Sequence, residues 1–107
     1  MQVKVSLIDE LVQRIVNAVH PLRIILFGSA ARGEMGPNSD LDVLVVMPDG
    51  THWRNTSRLI YERLYGLGFA KDIVVATVSD LEKYGNNPSL IYWPALREGK
   101  ELYHAEE

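Results

Sequence analysis

Two apolar runs, Ile24–Phe27 and Val43–Val46, are short, β-branched and bounded by turn residues. A chain must bury such runs as strands, and the way these two are joined constrains the rest of the fold. The connection carries Gly28, Ser29, Arg32, Gly33, Gly36 and Pro37 and ends at Asp40 and Asp42, on the lip of the second strand. Side chains on a strand alternate with a period of two, so Asp40 and Asp42 point one way and Leu41, Val43 and Val45 the other. Two carboxylates held side by side repel unless a cation sits between them. Beside a small Gly-Ser turn, they suggest a phosphate on one side and a metal on the other.

The rest of the chain frames these two strands. Ser6 is placed to cap a first helix, whose apolar residues Ile8, Leu11, Val12, Ile15, Val16 and Val19 keep the three-four spacing of one face. Pro21 ends it, and the first strand follows from about Leu22 to Phe27. Ser29 to Gly33 reads as a short helical turn, Glu34 to Ser39 as a loop, and Leu41 to Met47 as the second strand. After the Pro48-Asp49-Gly50 turn, a second helix is expected over Trp53 to Leu67, stopped by Gly66 and Gly68. Lys71 to Thr77 is the third strand, Ser79 caps a short helix over Asp80 to Tyr84, and a last helix spans Ser89 to Glu98. Glu101 to Tyr103 reads as a short closing strand. Helices and strands interleave without repeat or linker, so residues 1–107 are expected to form a single α/β domain.

The third strand opens on Asp72, with Val74 and Ala76 on its side. An acidic residue starting an apolar strand is costly if buried alone. If this strand lies beside the Asp42 strand, three carboxylates meet at one end of the sheet. Such a group should hold a hard divalent cation, and Mg²⁺ favours oxygen ligands together with substrate phosphates.

Composition narrows the field. A chain of 107 residues can build its own core, and a net charge of −3 argues against a broad nucleic-acid-binding face. Without cysteine there is no disulfide and no thiolate metal site. The amino-terminal stretch lacks the apolar core of a signal peptide, and no apolar run approaches the roughly 20 residues of a membrane span. A cytoplasmic protein is the expectation, with self-association left open. No Walker loop or dinucleotide fingerprint occurs.

Gly28-Ser29, ten intervening residues and Asp40-Leu41-Asp42, with Ala31-Arg32-Gly33 after the turn and a lone Asp72 on a later strand, resemble the signature of the DNA polymerase beta-like nucleotidyltransferases. In its compactness the chain is similar to the minimal nucleotidyltransferases (MNT), which are often antitoxins paired with a HEPN-domain toxin. The resemblance implies an α/β (α+β) polymerase beta-like palm fold, a small mixed sheet flanked by helices, and transfer of AMP from ATP to a hydroxyl, typically a tyrosine of the partner. It implies that Gly28, Ser29, Arg32 and Ser39 bind the nucleotide. Asp40, Asp42 and Asp72 would then ligate Mg²⁺, with Asp72 completing a second metal position or taking the proton of the attacking hydroxyl.

Plainer roles compete at single positions. Arg32 could pair with Glu34 or Asp40, and Asp72 could be a solvated strand-end carboxylate. His52 is expected near a helix start, Trp53 folded onto the sheet, and Tyr61, Tyr65, Tyr84, Tyr92, Trp93 and Tyr103 mainly covering the core. At the level of function, two alternatives stand beside adenylyl transfer to a protein. One is a catalytically silent antitoxin that neutralises its partner by occlusion; the other is nucleotidyl transfer to RNA or a small molecule.

Overall fold

The computed structural model describes residues 5–29, 31–33, 40–90 and 92–105. Ser39, the Glu34–Ser39 loop and the side chain of Ser6 lie outside what is described.

The amphipathic pattern of the amino-terminal segment produces helix α1, Val5–Val19, with Leu11 and Ile15 fully buried. Ser6, expected as its cap, falls within the span of the helix. Its end is set by His20, which takes a left-handed conformation (φ 51°) ahead of Pro21. The residue before a proline is pushed out of the helical region, so the chain turns there.

Strand β1, Arg23–Phe27, then pairs antiparallel with β2, Leu41–Met47. Helix α2, Trp53–Leu64, carries the chain across to β3, Lys71–Thr77, which lies parallel to β2. Helices α3, Val78–Tyr84, and α4, Tyr92–Glu98, come next, and β4, Lys100–His104, closes the sheet antiparallel to β1. The strand order is β3-β2-β1-β4. This is the small mixed sheet flanked by helices that the resemblance implied.

Strands β1 and β2 read as unbroken apolar runs because both faces of the sheet are covered. On one face Ile24, Leu26, Leu41, Val43, Val45 and Met47 pack with Leu11 and Ile15 of α1 and Ile60 and Leu64 of α2. On the other, Ile25, Phe27, Leu44, Val46 and Ala76 pack with Ala95 of α4 and, at the margin, Val78 and Leu81 of α3. Asp42 belongs to this second face, two residues before Leu44.

Several local expectations change. Helix α2 ends at Leu64, and Gly66 (φ 89°) and Gly68 (φ 81°) lie in the turn beyond it. His52 caps it, its Nδ1 accepting from the Asn55 N–H at 3.4 Å. Trp53 is 56% exposed instead of folded onto the sheet, because it is the first helical residue and overhangs the outer edge of β3 beside the Arg54 guanidinium. Helix α3 is capped by Thr77 instead of Ser79: Thr77 Oγ1 accepts from Asp80 N–H at 3.2 Å while Asp80 Oδ2 accepts from Thr77 N–H at 3.0 Å. This reciprocal box leaves Ser79 free to donate its N–H (2.9 Å) and hydroxyl (2.7 Å) to Asp49 in the turn after β2. Helix α4 starts at Tyr92, later than Ser89, because Asn87 turns the chain first: its side chain accepts from Ser89 N–H and its carbonyl from Leu90 N–H.

Strand β3 is an edge. In its parallel register with β2, the N–H groups of Asp72, Val74 and Ala76 face β2, so those of Ile73, Val75 and Thr77 face outward. Tyr61 of α2 accepts the Ile73 N–H at 2.9 Å and Asp80 accepts that of Thr77. Tyr61 thus caps a strand edge instead of covering the core.

Candidate active site

The site forms at the end of the sheet where β1 stops and β2 and β3 begin. Register brings its parts together. Phe27 pairs with Asp42 across β1–β2, and Asp42 pairs with Asp72 across β2–β3. Paired residues on adjacent strands face the same side about 4.8 Å apart, so two carboxylates stand as neighbours over the α3/α4 face. Asp40, exposed, comes just before β2 and reaches the same end.

The electrostatics reflect this crowding. Burial pushes the Asp42 carboxyl above its ordinary value, and the negative charges of Asp72 and then Asp40 push it further the same way. Asp42 is the half-buried centre of the group, and Asp40 and Asp72 are its exposed flanks. Among the described residues, no three His, Cys, Asp or Glu side chains close into a ready metal-ligand set. The donor set itself fits a hard cation: the oxygens are anionic, and a positive charge among them would relieve the repulsion that Asp42 experiences.

The turn after β1 lies directly against this group. Gly28 has φ 72°, and a Cβ there would run into the Asp42 carboxylate Oδ2, with its Cγ at 3.3 Å. Glycine is required twice over, by backbone conformation and by space. The turn continues with the Arg32 N–H bonded to the Gly28 carbonyl at 3.3 Å, and Ala31 packs on the α1/α2 side of the core. Ser29 is half-buried in this turn.

Arg32 has a partner that local spacing did not suggest. Its Nη1 lies 3.5 Å from Glu98 Oε2, at the end of α4. That contact joins the turn to the carboxy-terminal helix, 66 positions away in the chain, so no local pattern could reveal it. The structure therefore brings together Gly28, Ser29, Arg32, Asp40, Asp42 and Asp72. His20 and His104 stay outside the group; His104 Nδ1 pairs with Glu101 at 3.0 Å.

A Gly-Ser turn thus stands against an Asp-x-Asp strand, with a third Asp on the adjacent parallel strand of the α/β sheet. The nucleotidyltransferase domain model matches residues 6–96, and the chain belongs to that family: it is a nucleotidyltransferase. Three solved structures share the fold. One, from Sulfolobus solfataricus and assigned as a nucleotidyltransferase, has a TM-score of 0.65 at 18% identity, over 95% of this chain and 81% of that one. A toxin–antitoxin structure with AMP-PNP has a TM-score of 0.64 at 21% identity, over 92% and 74%. A mutant of the toxin–antitoxin pair MntA-HpeT has a TM-score of 0.63 at 18% identity, over 97% and 76%. No curated protein sequence matches the chain. Among the described residues, no helix is long and apolar enough to cross a membrane.

Proposed function

We propose that this nucleotidyltransferase is a cytoplasmic antitoxin that uses ATP and Mg²⁺ to place AMP on a hydroxyl of a HEPN-domain toxin, a tyrosine being the expected acceptor. The observation that carries the reading is the in-register pairing of Asp42 with Asp72 beside the Cβ-free surface of Gly28. Two neighbours support it: one was solved with AMP-PNP, and the other carries two aspartate-to-glutamate changes spaced two positions apart, like Asp40 and Asp42.

The reaction has simple requirements. The acceptor oxygen attacks the α-phosphorus of ATP, the bond from that phosphorus to the bridging oxygen breaks, and pyrophosphate leaves. Charge accumulates on oxygens that are already anionic. Gly28 lets the backbone approach the triphosphate, and the Ser29 hydroxyl and backbone N–H donate to it. Ser39 is assigned to the same role. Arg32 would exchange Glu98 for a phosphate oxygen. Asp40, Asp42 and Asp72 would hold Mg²⁺, which neutralises the charge shared by entering and leaving oxygens. Asp72, exposed at the rim, would complete a second metal position or take the proton of the attacking hydroxyl. Positioning and charge stabilisation supply most of the rate in such transfers, so no covalent nucleophile is required.

The test uses ATP labelled at the α-phosphate with the protein and its co-purifying partner. Label should move to the partner in wild type and stay on ATP with Asp42→Asn. Label appearing on RNA but not on protein would reassign the acceptor. Protection of cells by an Asp40→Ala, Asp42→Ala double variant would favour occlusion over catalysis.

A further inference from the structure

The outer edge of β3 is closed on either side of Val75 and open at it. Tyr61 accepts the outward N–H of Ile73, and Asp80 accepts that of Thr77. Val75 lies between them, and among the described residues nothing bonds its outward N–H or C=O. A hollow of about 430 Å³ opens at this point. Val74 and Val75 form its floor, Trp53 and Ser57 of α2 stand on one side, and Asp80 of α3 and Tyr92 of α4 on the other. An open strand edge is a template for the main chain of another molecule. With Ile73 and Thr77 already capped, there is room for a short extended segment but not for a full strand of a second copy.

The position of the hollow decides what such a segment can offer. Gly28 lies against Asp42, and Asp72 stands one strand further out, on β3. A triphosphate at the Gly28 turn therefore leaves the Asp72 side to the acceptor. Val74 shares the face of Asp72, two residues or about 7 Å further along the strand. A segment residue set beside Val74 is a diagonal neighbour of Asp72, a separation that an aromatic side chain spans. Tyr92 offers a ring surface on this face, and Trp53, 56% exposed, offers one on the other. The Asp80 carboxylate in the wall, with the acid cluster beyond it, weighs against an acidic segment.

We propose that this hollow docks the acceptor as an extended, non-acidic peptide segment, its main chain paired with Val75 and its tyrosine running over Val74, past Tyr92, toward Asp72. Side chains alternate along the segment, so the residue adjoining the tyrosine packs on Trp53. This presentation rests on the reading of the site as one that places AMP on a protein hydroxyl. The tyrosine oxygen bonds to the α-phosphorus, pyrophosphate leaves, and the hydroxyl proton is lost to water at the exposed Asp72 rim.

The probe is the peptide Lys-Val-Tyr-Val-Lys with blocked termini, titrated into the full chain and followed by amide NMR. One control carries phenylalanine for the tyrosine; a second is N-methylated from the first valine to the last lysine, which removes the main-chain donors and leaves the protein untouched. The tyrosine and phenylalanine peptides should bind alike, shift Val74, Val75 and the Trp53 indole, and slow exchange of the Val75 amide at least about tenfold. The N-methylated peptide should do neither. Trp53→Ala, at an exposed position, should weaken the tyrosine peptide about tenfold. With ATP labelled at the α-phosphate and Mg²⁺, only the tyrosine peptide should take label, and Trp53→Ala should raise its KM about tenfold with kcat and ATP affinity unchanged. Equal binding of the N-methylated peptide, an unprotected Val75, a wild-type KM in Trp53→Ala, or protection of Val75 by ATP alone would each overturn the docking site. Binding that protects Val75, with no label on the peptide or on the intact partner, would instead overturn the transfer reading and leave the docking site standing.

Discussion

Asp42 and Asp72 stand opposite one another in the parallel ladder between β2 and β3, so two carboxylates share one face at the start of neighbouring strands. Everything chemical about the site depends on that pairing, and its electrostatic consequence is measurable.

The Asp42 carboxyl is raised in the folded state by burial, by Asp72 and by Asp40. A raised carboxyl binds its proton more tightly in the folded chain than in the unfolded one, so ionisation of Asp42 works against the fold. Stability relative to an Asp42→Asn variant should therefore decline as pH rises from the ordinary carboxylate value of 3.8 and level off above the folded value. Urea unfolding across pH 3 to 8 measures it. At neutral pH Asp42→Asn should be at least as stable as wild type, yet lose adenylyl transfer by about a hundredfold or more.

Mg²⁺ should have the complementary effect. Because it would relieve the repulsion around Asp42, millimolar Mg²⁺ should raise the Tm of wild type at pH 7, and more so with ATP present. The increase should be absent in Asp42→Asn and reduced in Asp72→Asn, as scanning calorimetry would show.

Gly28→Ala places a side chain in the left-handed region and against the Asp42 carboxylate. The conformational part alone should cost about 1–2 kcal/mol. Transfer activity should fall even at temperatures where the variant is fully folded, which separates the loss of phosphate approach from the loss of stability.

Ser79 holds Asp49 through two hydrogen bonds, which keep its carboxyl below the ordinary range. A depressed carboxyl stabilises the fold above the unfolded value near 3.8, and that contribution is lost as pH falls through the lower folded value. Asp49→Asn should lower Tm at pH 7 and narrow its gap to wild type below pH 3, in a pH series of thermal melts.

Tyr61→Phe removes the hydroxyl that accepts the Ile73 N–H. The loss should be about 1 kcal/mol in urea unfolding. The larger change should be in solution behaviour: the bared edge of β3 should increase self-association, read by light scattering at increasing concentration.

The strands were the easiest part to read from the amino acids. Leu41–Met47 and Lys71–Thr77 are apolar runs with turn residues at both ends, and their bounds match the structure. The period of two placed Asp42 on the face of Leu44 and Asp72 on that of Val74, as found. The pairing of β2 with β3 entered only as a condition, because strand order depends on a crossover that no spacing encodes. Helix starts were harder. Ser79 looked like the cap of α3, but Thr77 and Asp80 satisfy each other's backbone N–H, and Asp49, thirty residues away, claims Ser79. Trp53 looked like core, yet its place at the first position of α2 sets it over the sheet edge. The Arg32–Glu98 contact is a tertiary fact with no local signature.

The route by which β3 reaches its place has one more consequence. Strands β1 and β2 are neighbours in sequence and pair directly, but β3 reaches β2 by way of α2, as a parallel strand. A nascent chain that has closed the first hairpin but not this long-range contact holds two of the three acids and lacks the third. Under the proposed reading, the third acid is supplied only by that long-range contact, so a chain lacking it would not turn over nucleotide.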